Sequence, residues 1–469
     1  MSRFPAELGP SPVPELGAGG DAGVPPAGRR VFYGNFTCEL EWGGPSLNPQ
    51  AAATTPGRGG LLTSLADRLR PINAELAWSW LPLLRPGDVV LGVEPPALPA
   101  AGSGFPDPPS TRWREVECLP QPRPGMTGTL IPWGWTPPAQ ALAARLGQPV
   151  AIPSLAVVAG VNSRVRRWEW ERELGMDLPG SQVIASLSDL SAALHTLPDP
   201  AAGWILKANF GMSGREAIRG TGAMVTEPQR RFVEQRLAAT GPLVLEPLLN
   251  PLAEAGVQWE LSANGTITLV GLAEQVAAGG SWQGSRWSSE PVPPAWREAV
   301  EATRQVAQRV AAAGYFGPLG IDVMRYRDAA GHERLRPLQD LNARFTMGRL
   351  ALAWRDWLPA GWSGLWRVAP GVTAGVVRQF CEEVSRAGDR EVLAWLTTPT
   401  TAGPPQGPEE GRSTPPLAEG RLNPSALQRL GANPSHPPPA PIRVLLAAAD
   451  SSRLQTLEQQ LANQLARRA

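Results

Sequence analysis

Of the 43 lysines and arginines in this 469-residue chain, Lys207 is the one lysine. A chain that writes Arg wherever a positive charge suffices, yet keeps one Lys, marks a place that suits a compact ammonium on a flexible stem rather than a planar fork. Drift toward Arg that spared one neutral Lys is the plain alternative. The segment Trp204-Ile205-Leu206-Lys207-Ala208-Asn209-Phe210-Gly211-Met212-Ser213-Gly214 reads as a buried strand running into a Gly/Ser turn. Such a turn aims backbone N–H groups at phosphate oxygens while the lysine supplies a point charge.

A second set of polar groups lies further along. Asp322 interrupts the apolar run Gly320-Ile321-Asp322-Val323, and eighteen residues on the chain reads Leu338-Gln339-Asp340-Leu341-Asn342-Ala343-Arg344. Side chains alternate along a strand, so Asp340, Asn342 and Arg344 share a face. A carboxylate, an amide oxygen and a guanidinium on one face offer two hard oxygen ligands for Mg²⁺ beside an anion clamp. Arg327–Glu333, with Gly331 inside it, supplies the turn that folds Asp322 back alongside Asp340.

The composition narrows the chemistry. Cys38, Cys118 and Cys381 are odd in number, far apart and without metal-ligand spacing, which points to reduced thiols in a cytoplasmic protein. His195, His332 and His436 are isolated, so a zinc site or a Ser-His-Asp triad has almost no material. Net charge of +1 gives no footprint for nucleic acid or a membrane surface, and no apolar run is long enough for a membrane helix. Eighteen tryptophans are mostly core by expectation. Trp282 and Trp287, flanking Gln283-Gly284-Ser285-Arg286, are the exceptions, read as a polar loop that could line an acceptor site.

These groups need elements to position them. Strands are expected at Arg30–Tyr33, Val89–Val93 and Val116–Leu119, with helices over Leu61–Leu84, broken at Pro71 and Pro82, and Ala139–Leu146: a small α/β domain. Asn35–Trp42, carrying Glu39 and Glu41, reads as a polar loop rather than a substrate edge. Asn162-Ser163 caps a helix that ends at Leu174-Gly175. Strands follow at Ile205–Ala208, Leu243–Leu245, Val257–Ser262, Ile267–Ala273, Gly320–Arg325 and Arg336–Leu341, with a helix over Ala295–Ala313, giving an α+β layout of mostly antiparallel strands. Ile442–Ala448 and Leu454–Leu465 pattern as a strand and a helix.

In this order the segments from about 155 to 350 resemble the ATP-grasp superfamily. The resemblance implies an α+β ATP-grasp fold of two α+β subdomains behind a small α/β pre-ATP-grasp domain. The expected limits are a disordered leader (1–28), the α/β domain (29–154), the ATP-grasp domain (155–396), a Pro-rich linker (397–440) and a short C-terminal tail (441–469). It further implies ATP and Mg²⁺ as cofactors. Arg164, Lys207, Ser213 and Gly214 would meet phosphate. Glu246, Leu248, Leu249 and Glu254 would meet adenine and ribose, from the hinge-like run Val244-Leu245-Glu246-Pro247-Leu248-Leu249. Asp322, Asp340 and Asn342 would hold the metal, and Arg344 with Lys207 would be catalytic. Asp340 stands where the superfamily usually has Glu. The function implied is a carboxylate–amine ligase that makes an acyl phosphate and passes the acyl group to an amine, both substrates unnamed. The alternative is a weak or inactive ATP-binding module acting through a partner. Neither nucleic acid nor membrane is an expected partner, and a homo-oligomer is left open.

Overall fold

The computed structural model describes residues 28–42, 69–96, 112–148, 150–199, 201–211, 216–278, 281–369, 372–398 and 442–466. The leader expected over 1–28 falls outside them apart from its last residue, as do Ser213, Gly214 and the Pro-rich stretch 399–441.

Three sheets organise the chain. The first is parallel, in the order β3-β2-β1-β4, built from β1 (Arg30–Tyr33), β2 (Val89–Leu91), β3 (Glu117–Leu119) and β4 (Thr129–Pro132). Val31, Phe32, Val89 and Val90 are wholly buried, as a parallel sheet covered on both faces requires. The sequence did not disclose β4. Asn35–Trp42, expected as a loop, holds the short helix α1 (Cys38–Trp42), whose Cys38, Glu39 and Trp42 are buried. Helical turns over 69–83 and α2 (Pro137–Arg145) complete this part. Thr136 caps α2 and a proline opens it.

The second sheet is antiparallel, order β5-β8-β6-β7, from β5 (Gln182–Ile184), β6 (Trp204–Lys207), β7 (Ala217–Gly220) and β8 (Leu243–Pro247). It is preceded by α3 (Leu155–Asn162) and α4 (Arg164–Glu173), and α5 (Leu187–Thr196) and α6 (Glu227–Thr240) pack on it. Ser163 caps α4 by accepting from the Arg166 N–H, and Gly175 beyond the end takes φ 67°, the cap pair expected from the sequence.

The third sheet is antiparallel with eight strands, β13-β12-β9-β10-β11-β14-β16-β15. Its strands are β9 (Asn250–Leu261), β10 (Ile267–Ala278), β11 (Ser281–Trp287), β12 (Gly317–Arg327), β13 (Glu333–Asn342), β14 (Ser363–Ala369), β15 (Val392–Leu396) and β16 (Ile442–Ala448). Helices α7 (Arg297–Ala312), α8 (Met347–Ala353), α9 (Ala374–Arg386) and α10 (Ser451–Ala466) accompany it. The stretch expected as a polar loop at 283–286 is instead inside β11. Trp287 is buried in the core and Trp282 packs on Trp366, ring centroids 5.8 Å apart. The expected strand in the C-terminal tail is present and fills the gap between β14 and β15.

Candidate active site

The site forms where the second sheet meets the third, and each residue arrives by a local rule. Asp322 and Asp340 are direct partners across the β12–β13 ladder, with Gly320 opposite Asn342 two residues on. The turn that permits this spans the residues between Arg327 and Glu333, where Gly331 takes φ 84°. Across the cleft, Arg164 opens α4. Its Nη1 donates to the Ala208 carbonyl at 2.8 Å, and its Nη2 donates to the Gly211 carbonyl at 3.1 Å and to Asp340 Oδ2 at 3.0 Å. One guanidinium thus joins the end of the lysine strand, the start of the glycine turn and the candidate metal strand. Gly211 has to be glycine: a Cβ there would lie 2.5 Å from the Glu216 Cβ and 3.0 Å from Arg164 Nη1. Asn209 ties the same corner, accepting from Ser163 Oγ at 2.7 Å and from the Val165 N–H at 3.1 Å.

Lys207 reaches the cleft from β6 with its ammonium 2.8 Å from Glu246 Oε2. Burial draws its pKa down, and Glu246 opposes that shift. Glu246 is the hub of a buried ion cluster. Arg167 Nη2 donates to its Oε1 at 2.5 Å, and Arg336 donates to Oε1 at 2.6 Å and Oε2 at 3.0 Å. Glu171 completes the cluster, 2.9 Å from Arg167 and 3.3 Å from Arg336. Burial alone would raise the Glu246 carboxyl, but Arg336, Lys207 and Arg167 together hold it well below the usual range. Three cations face two carboxylates here, and the surplus positive charge is the lysine at the cleft.

This placement alters two expectations. Glu246 is 1% exposed and its oxygens are spent on three cations, so its side chain is not presented to a nucleotide. Leu248 differs as well: its N–H donates to the Gly203 carbonyl at 3.0 Å, which takes that donor out of base reading. Leu249 follows half-buried in the turn to β9. Glu254 lies on β9 and accepts from Gln339 Nε2 at 2.9 Å.

The candidate metal ligands carry opposite perturbations. Burial, then the neighbouring Asp340, raises Asp322 to about 7. Asp340 is also pushed up by burial, but Arg164, Lys207 and Arg167 outweigh that and hold it at about 2. Asp322 accepts from Gln275 Nε2 at 3.1 Å and from Asn342 Nδ2 at 3.3 Å. Two carboxylates opposed in a buried cleft, one of them strained toward neutrality, suit a divalent cation. Among the described residues no three His, Cys, Asp or Glu side chains converge. The set is therefore two carboxylates and one amide, the sparse protein share typical of Mg²⁺ sites completed by phosphate and water. Arg344 donates to Asn342 Oδ1 at 2.8 Å and ion-pairs with Glu39 of the first sheet's helix α1.

Sequence reasoning assigned Glu39 to a polar loop and missed Arg167, Glu171, Arg336 and Gln275. Arg336 had a signal, a charge on a strand whose neighbour Leu338 is core; the others gave none.

No protein-family model matches the chain. A curated relative, the L-propargylglycine–L-glutamate ligase of Streptantibioticus cattleyicolor, is 25% identical over 216 residues, 42% of this chain and 44% of that protein. The chain thus matches less than half the length of that relative. Among solved structures, an N5-carboxyaminoimidazole synthetase from Staphylococcus aureus complexed with ADP is similar over 93% of this chain and 97% of its own, at 12% identity and TM-score 0.48. An L-amino acid ligase from Bacillus licheniformis is similar over 93% and 97%, at 11% identity and TM-score 0.43. In this chain an antiparallel sheet carrying Lys207 closes, through Arg164 and Arg167, on a second carrying Asp322 and Asp340.

Proposed function

We propose that the protein is an ATP- and Mg²⁺-dependent ligase that joins a carboxylate to an amine. The observation that carries the reading is the Arg164–Asp340 contact at 3.0 Å. It brings the cations of the lysine sheet within one side chain of the paired carboxylates of the other, as a metal–triphosphate complex requires. Lys207 and Arg164 would neutralise the α- and β-phosphates. Asp322, Asp340 and Asn342 would hold Mg²⁺, whose chemistry is to neutralise charge on the transferring phosphoryl group. Backbone groups around Leu249, together with Glu254, are the proposed base and ribose contacts.

Phosphoryl transfer needs alignment and charge neutralisation more than covalent help. A carboxylate oxygen of the first substrate attacks the γ-phosphorus, and ADP leaves. The amine then attacks the acyl carbon, phosphate departs with the electron pair of the C–O bond, and the amine loses a proton. Arg344, beside Asn342, faces the charge that develops in both steps. The curated relative's name couples two amino acids, which makes amino acids the first substrates to try.

The test is ADP release from Mg²⁺·ATP against a pool of amino acids and small carboxylic acids. We expect release that needs both an acid and an amine, and that falls about 10²–10³-fold when the charge-stabilising Arg344 becomes Met. ATP turnover indifferent to every acid and amine, or unaffected in Asp340→Asn, would remove the ligase reading. Asp340→Glu restores the longer carboxylate usual in the superfamily. Its Oδ2 already meets Arg164, so the larger side chain should crowd that contact and turn over more slowly.

A further inference from the structure

A cavity of about 490 Å³ lies away from the candidate active site, between the first sheet's domain and helix α8. Five arginines line it, Arg30, Arg85, Arg112, Arg349 and Arg355, against one carboxylate, Asp356. The whole chain carries a net charge of +1, so this concentration is local.

The partners of the five show how much charge is left over. Arg30 is committed to Asp88 through Nε at 3.0 Å and through Nη2, yet its Nη1 is buried with no hydrogen-bond partner among the described residues. Arg349 pairs with Glu260 at 2.7 Å, and Arg112 stands 3.5 Å from Glu115 and 5.3 Å from the centre of the Trp357 ring. Among the described residues Arg355 makes no ion pair and donates to backbone carbonyls, Leu352 at 3.1 Å and Val270 at 2.8 Å. Burial and the nearby Arg349 draw its pKa down against the pull of Asp356. Arg85 is exposed; its side chain makes no close ion pair among the described residues, though its charge acts on Asp356. Arg355, half-buried with only backbone carbonyls as hydrogen-bond partners, lacks a counter-charge that an anion in the cavity would supply.

The cavity is separate from the candidate active site. Val270 lines it and Gln275 bonds to Asp322. Both lie on β10, five residues apart, which at about 3.3 Å per residue is about 16 Å. Helix α8 stands between, its capping Thr346 donating to Gln258 Oε1 at 2.7 Å.

We propose that this cavity is a second binding site, for a small anion carrying at least two negative charges on phosphate or carboxylate groups. Its size falls within the roughly 300–1,000 Å³ usual for small-ligand pockets. Arg30, Arg85 and Arg112 come from one domain and Arg349 and Arg355 from α8 and its extension, so the bound anion clamps the two together. The binding does not depend on the ligase reading.

Pyrophosphate and citrate, as separate probes, distinguish the phosphate from the carboxylate source. Each is titrated calorimetrically into the full chain and into Lys207→Met, which blunts the nucleotide site. At least one probe should bind, and bind alike in Lys207→Met. Arg85→Glu, on an exposed side chain that folding does not need, should weaken it about tenfold or more, the order expected for one charge-assisted contact. Arg355→Gln should do the same, with its circular dichroism unchanged. Binding that vanishes in Lys207→Met would assign the anion to the nucleotide site and overturn the proposal. Binding untouched by Arg85→Glu, or no binding of either probe, would overturn it too.

Discussion

Lys207 and Glu246 show what a residue alone can and cannot announce. The lysine was legible because its type is unique in the chain. Glu246 was not. A carboxylate ending a strand looks the same in sequence whether it meets a ligand or a cation, and its arginine partners lie 79 and 90 positions away. The structure gives the pair different duties. Glu246→Gln would leave Arg167, Arg336 and Lys207 buried around Glu171 alone. Removing one partner from a buried cluster typically costs about 3–5 kcal/mol, so we expect the urea midpoint to fall by that equivalent. Lys207→Met leaves two arginines facing two carboxylates in balance. That variant should keep the wild-type midpoint and lose the thermal stabilisation by Mg²⁺·ATP, which would be roughly 2.7 kcal/mol at 100 times the dissociation constant. Similar midpoints for both variants would show that Glu246 is not the hub.

At the scale of elements, type was easier to read than place. The strand at Ile442–Ala448 and the helix after it were foreseen, whereas their position in the sheet was not. Pairing across more than forty intervening residues leaves no local trace, though one pattern did bear on it. Val444, Leu445, Leu446, Ala447 and Ala448 are all buried, and a continuous apolar run marks a strand covered on both faces rather than an edge that alternates. Trp287 carries the same lesson: a tryptophan beside polar residues on a strand can belong to the face that looks inward. Strand β16 pairs with β14 over seven residues and with β15 over five. Ending the chain at Thr398 would strip both neighbours of their partner and open two edges. We expect the truncated protein to be insoluble or to melt without cooperativity. Leu446→Asp in the full chain should be destabilised by at least about 3 kcal/mol, from lost burial and a buried charge. A truncated chain with an unchanged melting temperature would mean that the sheet does not depend on this strand.

For the whole molecule, the consequential join is the one between the first sheet and the end of β13. Asn35 Nδ2 donates to the Gly134 carbonyl at 2.8 Å, Gly134 bridges to Arg344, the Phe345 N–H donates to the Trp133 carbonyl at 3.0 Å, and Glu39 ion-pairs with Arg344. The Asn35–Trp42 segment, read from sequence as a solvated loop, is thus part of a buried junction. No single-sequence pattern separates the two, because Asn35 and Glu39 find partners as distant in sequence as Gly134 and Arg344. Glu41 gives the junction a pH signature. Burial raises it to about 7, Thr136 opposing the shift by hydrogen bonding and Glu39 adding to it. Its folded pKa is above its unfolded value near 4.5, so the folded state holds the proton longer. The stability tied to that proton is whole below about pH 4.5 and lost as pH climbs through about 7; at 1.36 kcal/mol per unit the loss approaches about 3 kcal/mol. Glu41→Gln cannot ionise, so the difference in unfolding free energy between variant and wild type should swing in the variant's favour by that amount between pH 4.5 and pH 8. Comparing the two proteins at each pH cancels other titrating groups, Asp322 among them. A difference that stays constant across that range would mean Glu41 titrates as a solvated carboxylate and the junction is open to water.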